Sequence, residues 1–434
     1  MTGLAGATKR SVTPPVATLG RVGLTRHVHR ITAMELGERT SLEGGVLSVA
    51  VEEAEGFFTD PALASVTLSV TAPGASARIV KVLDAVEPRT KGPGGGGIFP
   101  GFVGPAEAQG DGTTHVLRGA AVVVAGYLPR AQEAVIDMSG PAADLCPLSK
   151  TVNLVVEFEP AEGAAWEDVD VALRLGSLRL AAHLAEAGLD VEPDEVDEPL
   201  DPEAAAGLPK VAALTNLQTQ GPFKDVFVYG RSFAGEQPMV IDPGDVDDGA
   251  VVSGQYGHPS LKNPTYVHQN HPVAAALRAR HGVDLCFAGI VISPEPVAMA
   301  GKEEISAAAA RVCADAGFDA VIVTKEGGGN ADADMALKMD ALEDLGITAV
   351  GLFAEMSGIE GTGPPIVVPP ERATAMVSTG NYDHRLTLPA VARAYGGERV
   401  ALVDRPATDE LELPTAVIYC SLSCLGWGRL RAVV

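Results

Sequence analysis

Ala320-Val321-Ile322-Val323-Thr324-Lys325-Glu326-Gly327-Gly328-Gly329-Asn330 reads as a buried strand, a glycine loop and the mouth of a helix. The helix is predicted over about 332–345 and carries Asp332 and Asp334 in its first turn. The same alternation surrounds it: short apolar runs at 211–214, 287–292, 349–353 and 375–377, with another helical stretch at 302–316. Strands alternating with helices imply a parallel sheet joined by right-handed crossovers. Ligands of such sheets bind beyond the carboxyl ends of the strands. That rule draws a candidate crevice along 293–296, 324–330, 355–358 and Gly380-Asn381. Glycines let backbone amides approach an anion at a helix N-terminus. The loop has neither the dinucleotide-binding spacing nor that of a P-loop. Either the loop binds substrate, its glycine amides facing a carboxylate and Glu326, Gly327, Gly328 and Asn330 being the candidate binding residues, or it is a tight turn before a capped helix.

Upstream the pattern changes. Between 31 and 160, β-branched runs at 46–49, 66–70, 78–83, 121–124 and 152–156 are separated by Gly and Pro, which predicts strands with antiparallel pairing. Trp166, Val169, Leu173, Leu180 and Leu184 fall on one helical face, with Gly188 as a stop. From Asp190 to Glu203, eight of fourteen residues are acidic and three are proline, so an exposed linker is expected. The expected organisation is α/β: a flexible N-terminal tail (1–30), a β-rich domain (31–160), a helix with the acidic Pro-rich linker (161–208) and a C-terminal three-layer parallel-sheet α/β domain (209–434).

Composition narrows the function classes. Of 434 residues, 46% are apolar and only 5% aromatic, so the cores must be built from Ala, Val, Leu and Ile, as in a parallel sheet covered by helices. A net charge of -24 argues against nucleic acid or an anionic membrane as partner, because phosphate binding needs clustered Lys and Arg. The N-terminal stretch lacks the apolar core of a signal peptide, and no apolar run reaches the length of a membrane span. Five cysteines, at 146, 286, 313, 420 and 424, do not make a secreted disulfide framework, so a cytoplasmic protein is expected. Cys420 and Cys424 are spaced C-x3-C, which reads as a resolving dithiol or as buried small residues. His258, His268, His271 and His281 cluster within 24 positions, yet Pro272 opens a helix after His271 and no nearby Cys or carboxylate completes a zinc pattern. No metal is expected.

Several blocks, in order, resemble a known family. They are Glu87-Pro88-Arg89, Gly92-Pro93-Gly94-Gly95 with Gly97-Ile98-Phe99-Pro100-Gly101-Phe102, Thr114-His115-Val116-Leu117, Ile136-Asp137-Met138-Ser139-Gly140-Pro141 and Ser149-Lys150-Thr151. Further on stand Gln218-Thr219-Gln220-Gly221, Val228-Tyr229-Gly230, Asn263-Pro264-Thr265-Tyr266-Val267-His268-Gln269-Asn270 and Glu326-Gly327-Gly328-Gly329-Asn330. Together they resemble component B of the glycine, sarcosine and betaine reductases. The resemblance implies an oxidoreductase complex that cleaves a C–N bond reductively. It implies a partner subunit bearing selenocysteine or cysteine, a carrier component A, thioredoxin and a small amino-acid-derived substrate. The glycine-rich stretch 92–102 then reads as a loop against a partner or active site, or as a wide turn.

One departure from the family pattern matters most. Processed relatives carry Asn-Cys at the site where the chain is cut to make a pyruvoyl group; this chain reads Ser253-Gly254-Gln255-Tyr256-Gly257-His258. Tyr256 has no β-leaving group, and Gln255 lacks the shorter asparagine geometry. Ser253, three positions earlier, is the nearest alternative precursor. The chain is therefore expected to stay uncut and to carry no cofactor. Betaine suits such a site, because it has no N–H for a Schiff base and its nitrogen leaves as neutral trimethylamine. Tyr256 and Tyr266 are candidate aromatic faces for the cation. His258, His268, Gln269 and Asn270 are candidates for a polar substrate wall, with structural hydrogen bonding as the other reading. The expected function is the substrate-binding subunit of a betaine-reductase-type component B. The alternatives are a relative acting on another C–N or C–S bond and a silent scaffold that stabilises the partner.

Overall fold

The computed structural model describes residues 23–94, 96–106, 110–221, 223–254, 256–373, 375–425 and 431–433. Most of the expected tail, and Gln255, lie outside the described residues. The fold is mixed α/β, with many sheets.

The largest sheet has seven strands, in the order Met239–Ile241, Cys286–Glu295, Lys210–Gln218, Ala320–Thr324, Thr348–Glu355, Ala375–Asn381 and Arg431–Val433. The five central strands are parallel, and both edge strands run antiparallel. Apolar side chains leave both faces, as a covered parallel sheet requires. Ala212, Leu214, Val291 and Phe353 pack with Ala309 and Cys313 of helix Met299–Asp315 and Met335 and Met339 of helix Asn330–Asp344. Ala213, Ile290, Ile292 and Leu352 pack with Val273 and Leu277 of helix Pro272–Arg280.

A second sheet orders Leu63–Thr71, Val152–Pro160, Ala120–Ala125 and Val82–Val86. The two outer pairings are antiparallel, as expected, but the central one is not: Ala120–Ala125 runs parallel to Val152–Pro160. This central strand is buried on both faces: Val122 and Val124 enter one core, Ala121, Val123 and Ala125 another. The Trp166–Glu186 helix covers the first of these with Val169, Leu173, Leu180 and Leu184. The run expected as one strand at 78–83 breaks at Lys81, whose φ of 54° sends Ala77–Val80 and Val82–Val86 into different sheets.

The acidic run stays at the surface, as expected of it, but part of it and the end of the expected tail pair as strands. Thr25–Arg30 is a strand, parallel to Thr113–Arg118 and antiparallel to Glu195–Asp197 of the acidic run. Opposite charge explains it: Arg26 meets Asp197 at 2.8 Å, Arg30 meets Glu195 at 2.8 Å, and Arg118 reaches both carboxylates. The glycine loop after Gly92 also folds onto its own chain. Phe99 is fully buried, and Gly101 (φ 82°) lies so close to Tyr229 and Gly230 that a Cβ would fall 2.2 Å from the Tyr229 carbonyl oxygen.

Residues near the C-terminus return to the N-terminal strands. Arg393–Tyr395 runs parallel to Ala77–Val80. Arg78 secures this junction: its guanidinium donates to Asp137 at 2.6 Å and to the carbonyls of Ala407, Pro389 and Asp409 at 2.7, 2.9 and 3.0 Å. Both ions are buried. Removing Arg78 strands the Asp137 charge, so Arg78→Ala is expected to cost about 3–5 kcal/mol in urea unfolding. Exposed Arg30→Ala should cost under about 1 kcal/mol.

Candidate functional site

The candidate site is built where the segment 256–270 crosses the carboxyl ends of the parallel strands. Gln218 and Glu295 end adjacent strands in register, and the loop after Ala320–Thr324 brings Glu326 beneath them. Glu326 is fully buried. One of its oxygens accepts the Gln218 amide at 2.8 Å, and the other lies 3.3 Å from His268 Nε2. Lys325 turns back into the loop, donating to the Gly327 carbonyl at 2.7 Å and pairing with Asp332 at 2.8 Å. Asp332, in the first helical turn, thus brings its own anion to the end of the helix. Gly328 is needed for packing, since a Cβ there would fall 2.2 Å from Met356 Cε. Asn330 is exposed at the start of the helix.

The Asn263-to-Asn270 motif divides by function. Gln269 is zipped to the backbone of Glu87, accepting its N–H at 2.9 Å and donating to its carbonyl at 3.2 Å. Asn270 donates to the Glu87 carboxylate at 3.1 Å and accepts from Arg89 at 2.8 Å. Both side chains therefore spend their hydrogen bonds on the scaffold. Tyr266 is buried in the core cluster that also holds Val135 and Leu425. His268 alone of these residues meets the loop carboxylate. His258 is half-buried with φ 52°; its amide donates to Gln132, and its ring lies 3.5 Å from the Tyr382 hydroxyl. Beside it opens a cleft of about 520 Å³ lined by Lys81, Tyr127, Leu128, Gln132, Glu133 and Tyr382.

Tyr256 is tied at every polar atom. Its amide donates to the Phe223 carbonyl, its carbonyl accepts from Gln132 at 2.9 Å, and its hydroxyl donates to Asp170 at 2.8 Å. Burial, with the Asp170 carboxylate beside it, holds the phenol well above its usual range, so it is a neutral donor. Tyr256 does not fit as the precursor of a backbone-derived pyruvoyl group, because its Cβ carries a packed ring and no heteroatom to eliminate. The Ser253 hydroxyl is buried without a hydrogen-bond partner among the described residues. The Tyr256 ring face is also in use: Lys262 Nζ lies 4.5 Å from its centroid.

Sequence reasoning passed over Lys262 and the ions around it. Its ammonium donates to the Leu83 carbonyl and lies 4.0 Å from Asp84. Burial pushes it down to about 8, against the pull of Asp84, Glu326 and Asp170. Asp84 also accepts from the Thr265 amide and hydroxyl at 3.0 and 2.7 Å. Asp170 pairs with Arg174 one turn along the helix, and Arg174 stacks 4.3 Å over Phe227. The signals were present: Asp84 is a charge inside an otherwise apolar strand, and Asp170 and Arg174 share the buried face that holds Val169 and Leu173. Glu295 is buried, and burial with Asp334 and Glu326 nearby holds it well above the usual carboxyl range. Among the described residues, no group of three or more His, Cys, Asp or Glu is placed to hold a metal ion.

His271 supplies a pH-dependent cap to the helix that follows this segment. Its Nδ1 caps the Pro272–Arg280 helix by accepting the Ala274 amide at 3.3 Å, which requires that nitrogen unprotonated; Nε2 meets Thr215 at 3.1 Å. Burial, with His268 beside it, pushes His271 down to about 3. A depressed folded value means stability is fully present above the unfolded value of 6.5 and is lost as pH falls toward 3. Within that window His271 should contribute a fall of about 1.4 kcal/mol per pH unit. His271→Asn keeps a capping oxygen and should flatten that part of the urea-unfolding pH profile.

Comparisons with known proteins identify the family. The family described as glycine/sarcosine/betaine reductase component B subunits matches residues 22–417. The chain is 38% identical over 418 residues to the glycine reductase complex component B subunits alpha and beta of Acetoanaerobium sticklandii, covering 93% of this chain and 97% of the relative. It is 36% identical over the same length to the sarcosine reductase complex component B subunit alpha of Peptoclostridium acidaminophilum, with the same coverage. It is 31% identical over 425 residues to that organism's betaine reductase complex component B subunit alpha, covering 90% of this chain and 95% of the relative. No solved structure matches significantly. The chain belongs to the glycine/sarcosine/betaine reductase component B subunit family.

Proposed function

We propose that this chain is the substrate-binding subunit of a component-B-type reductase complex, and that it works without a carbonyl made from its own backbone. The observation that carries the reading is Tyr256, a packed and hydrogen-bonded tyrosine where processed relatives have the cysteine precursor. A substrate that needs no Schiff base, such as betaine, fits a chain of this kind. Its C–N bond would be cleaved by a selenol or thiol on a partner subunit, with a carrier component and thioredoxin completing the cycle. His268, Glu326 and the glycine loop are the proposed substrate wall. The cleft beside His258 and Tyr382 is the proposed approach, because Gln132 joins that cleft directly to the Tyr256 backbone.

A second reading has an observation in its favour. Identity to the glycine reductase relatives, 38–39%, exceeds the 31% to the betaine relative, which favours a primary amine. Mass separates the two. The purified chain, denatured, is expected to give one species at 44.6 kDa. Two fragments dividing near Ser253 to Tyr256, with a hydrazine-reactive carbonyl, would overturn the proposal in favour of amine capture. For the uncut chain, calorimetric titration should show saturable binding of betaine and none of glycine. Absence of both would leave a scaffold role.

A further inference from the structure

The sequence directs attention to Cys420 and Cys424, but the fold pairs Cys420 elsewhere. Its sulfur lies 4.0 Å from that of Cys146, 274 positions away, while Cys424 turns to the Leu422 carbonyl at 3.6 Å. Cys146 and Cys420 are both buried. Cys420 sits at φ 47°, a left-handed conformation that a non-glycine residue holds only when its surroundings impose it. A disulfide needs the sulfurs at about 2.05 Å, so each side chain has to travel only about 1 Å.

The pair also has a mechanical connection to the candidate site. The Cys420 amide donates to the Pro259 carbonyl at 2.8 Å, and the Leu422 amide donates to Ser260 at 2.9 Å. The Ser423 hydroxyl donates to Asn263 at 2.6 Å. These bonds bracket Lys262. On the other side, Cys146 is the residue from which the Pro147–Lys150 turn starts. Burial is the largest influence on the Cys146 thiol and opposes ionisation. Hydrogen bonds from Cys420 and from the Leu148 and Ser149 amides outweigh it and bring Cys146 below the usual thiol range. The thiolate is the nucleophilic form.

We propose that Cys146 and Cys420 are a redox modification site, closed to an internal disulfide by a peroxide, and that closure clamps the 259–263 segment behind Lys262. The Cys146 thiolate attacks one peroxide oxygen; the O–O bond breaks, leaving a sulfenic acid and releasing water. The Cys420 sulfur then attacks that sulfenic sulfur, the S–O bond breaks, and a second water leaves. Two thiols lose two protons and two electrons, and hydrogen peroxide is reduced to two waters. A thiol reductant reverses the step. Hydrogen peroxide is small and uncharged, which suits a buried pair reached by local opening.

The test treats the full chain with hydrogen peroxide, blocks free thiols under denaturing conditions and maps the digested peptides. The expected result is a loss of two hydrogens, a cross-linked peptide joining Cys146 to Cys420, and reversal by dithiothreitol. Amide exchange across 260–263 should slow several-fold in the oxidised protein. Cys424→Ser should leave the cross-link intact, and Cys146→Ala should abolish it. The wild-type map decides by itself if the Cys146 variant does not fold. Both thiols remaining free while Cys286 oxidises, or a Cys420–Cys424 cross-link, would overturn the proposed site. An unchanged exchange rate in cross-linked protein would overturn the clamp.

Discussion

The reciprocal bond between the Gln269 amide and the Glu87 backbone is the constraint on which the rest of the site depends. A side-chain amide that both donates to and accepts from one residue fixes position and orientation together. The Glu87 carboxylate adds to it by gathering Arg89 and Asn270 at one buried point. The stretch after the Val82–Val86 strand is thereby fastened to the 256–270 segment that crosses the parallel sheet. Arg89 extends the clasp to the Asp247 carbonyl. Release of that junction would free Thr265 from Asp84 and His268 from Glu326, because both lie on the short helix that Gln269 ends.

Around the junction lies a chain of buried ions whose partners are shared, not private. Burying an ion costs several kcal/mol unless partners meet it. Lys262 meets the cost with a carbonyl, an offset carboxylate and the face of Tyr256. Asp170 is held between Arg174 and the Tyr256 hydroxyl. Tyr256 is therefore a hub, donating to an anion with its edge and facing a cation with its ring. A residue in that position maintains neighbouring charges; it is not free to move through a reaction cycle.

Much of the scaffold was legible and much of the site was not. The central strands and the two long helices after residue 298 follow from apolar runs and their spacing, because burial on both faces leaves a continuous signal. The parallel pairing of Ala120–Ala125 with Val152–Pro160 was not legible, since an apolar run buried on both faces reads the same in either direction. Nor was the seating of the acidic run against Thr25–Arg30, which needs three arginines distant in sequence to cancel its repulsion. The motif 263–270 announced importance without dividing labour. Only contacts separate His268, which meets Glu326, from Gln269 and Asn270, which hold the frame. Cys420 carries the same lesson, because its partner is 274 positions away and not four.

The Tyr256–Lys262 contact bears on where a cationic substrate sits. A cation over a tyrosine face gains roughly 0.5–2 kcal/mol. A second cation about 4–5 Å from a charged Lys262 would lose about 4 kcal/mol at an effective dielectric of about 20. Repulsion wins while Lys262 holds its proton, so the ring face next to it is closed to a quaternary ammonium near neutral pH. Glu326 offers the opposite balance. It is a buried carboxylate that His268 and the Gln218 amide orient, at the carboxyl edge of the sheet where parallel folds take their ligands. Under the proposed function, the positive pole of a small substrate would be met by Glu326 and not by the aromatic ring. On that proposal Tyr256 would act from behind, through its contacts to Lys262 and Asp170.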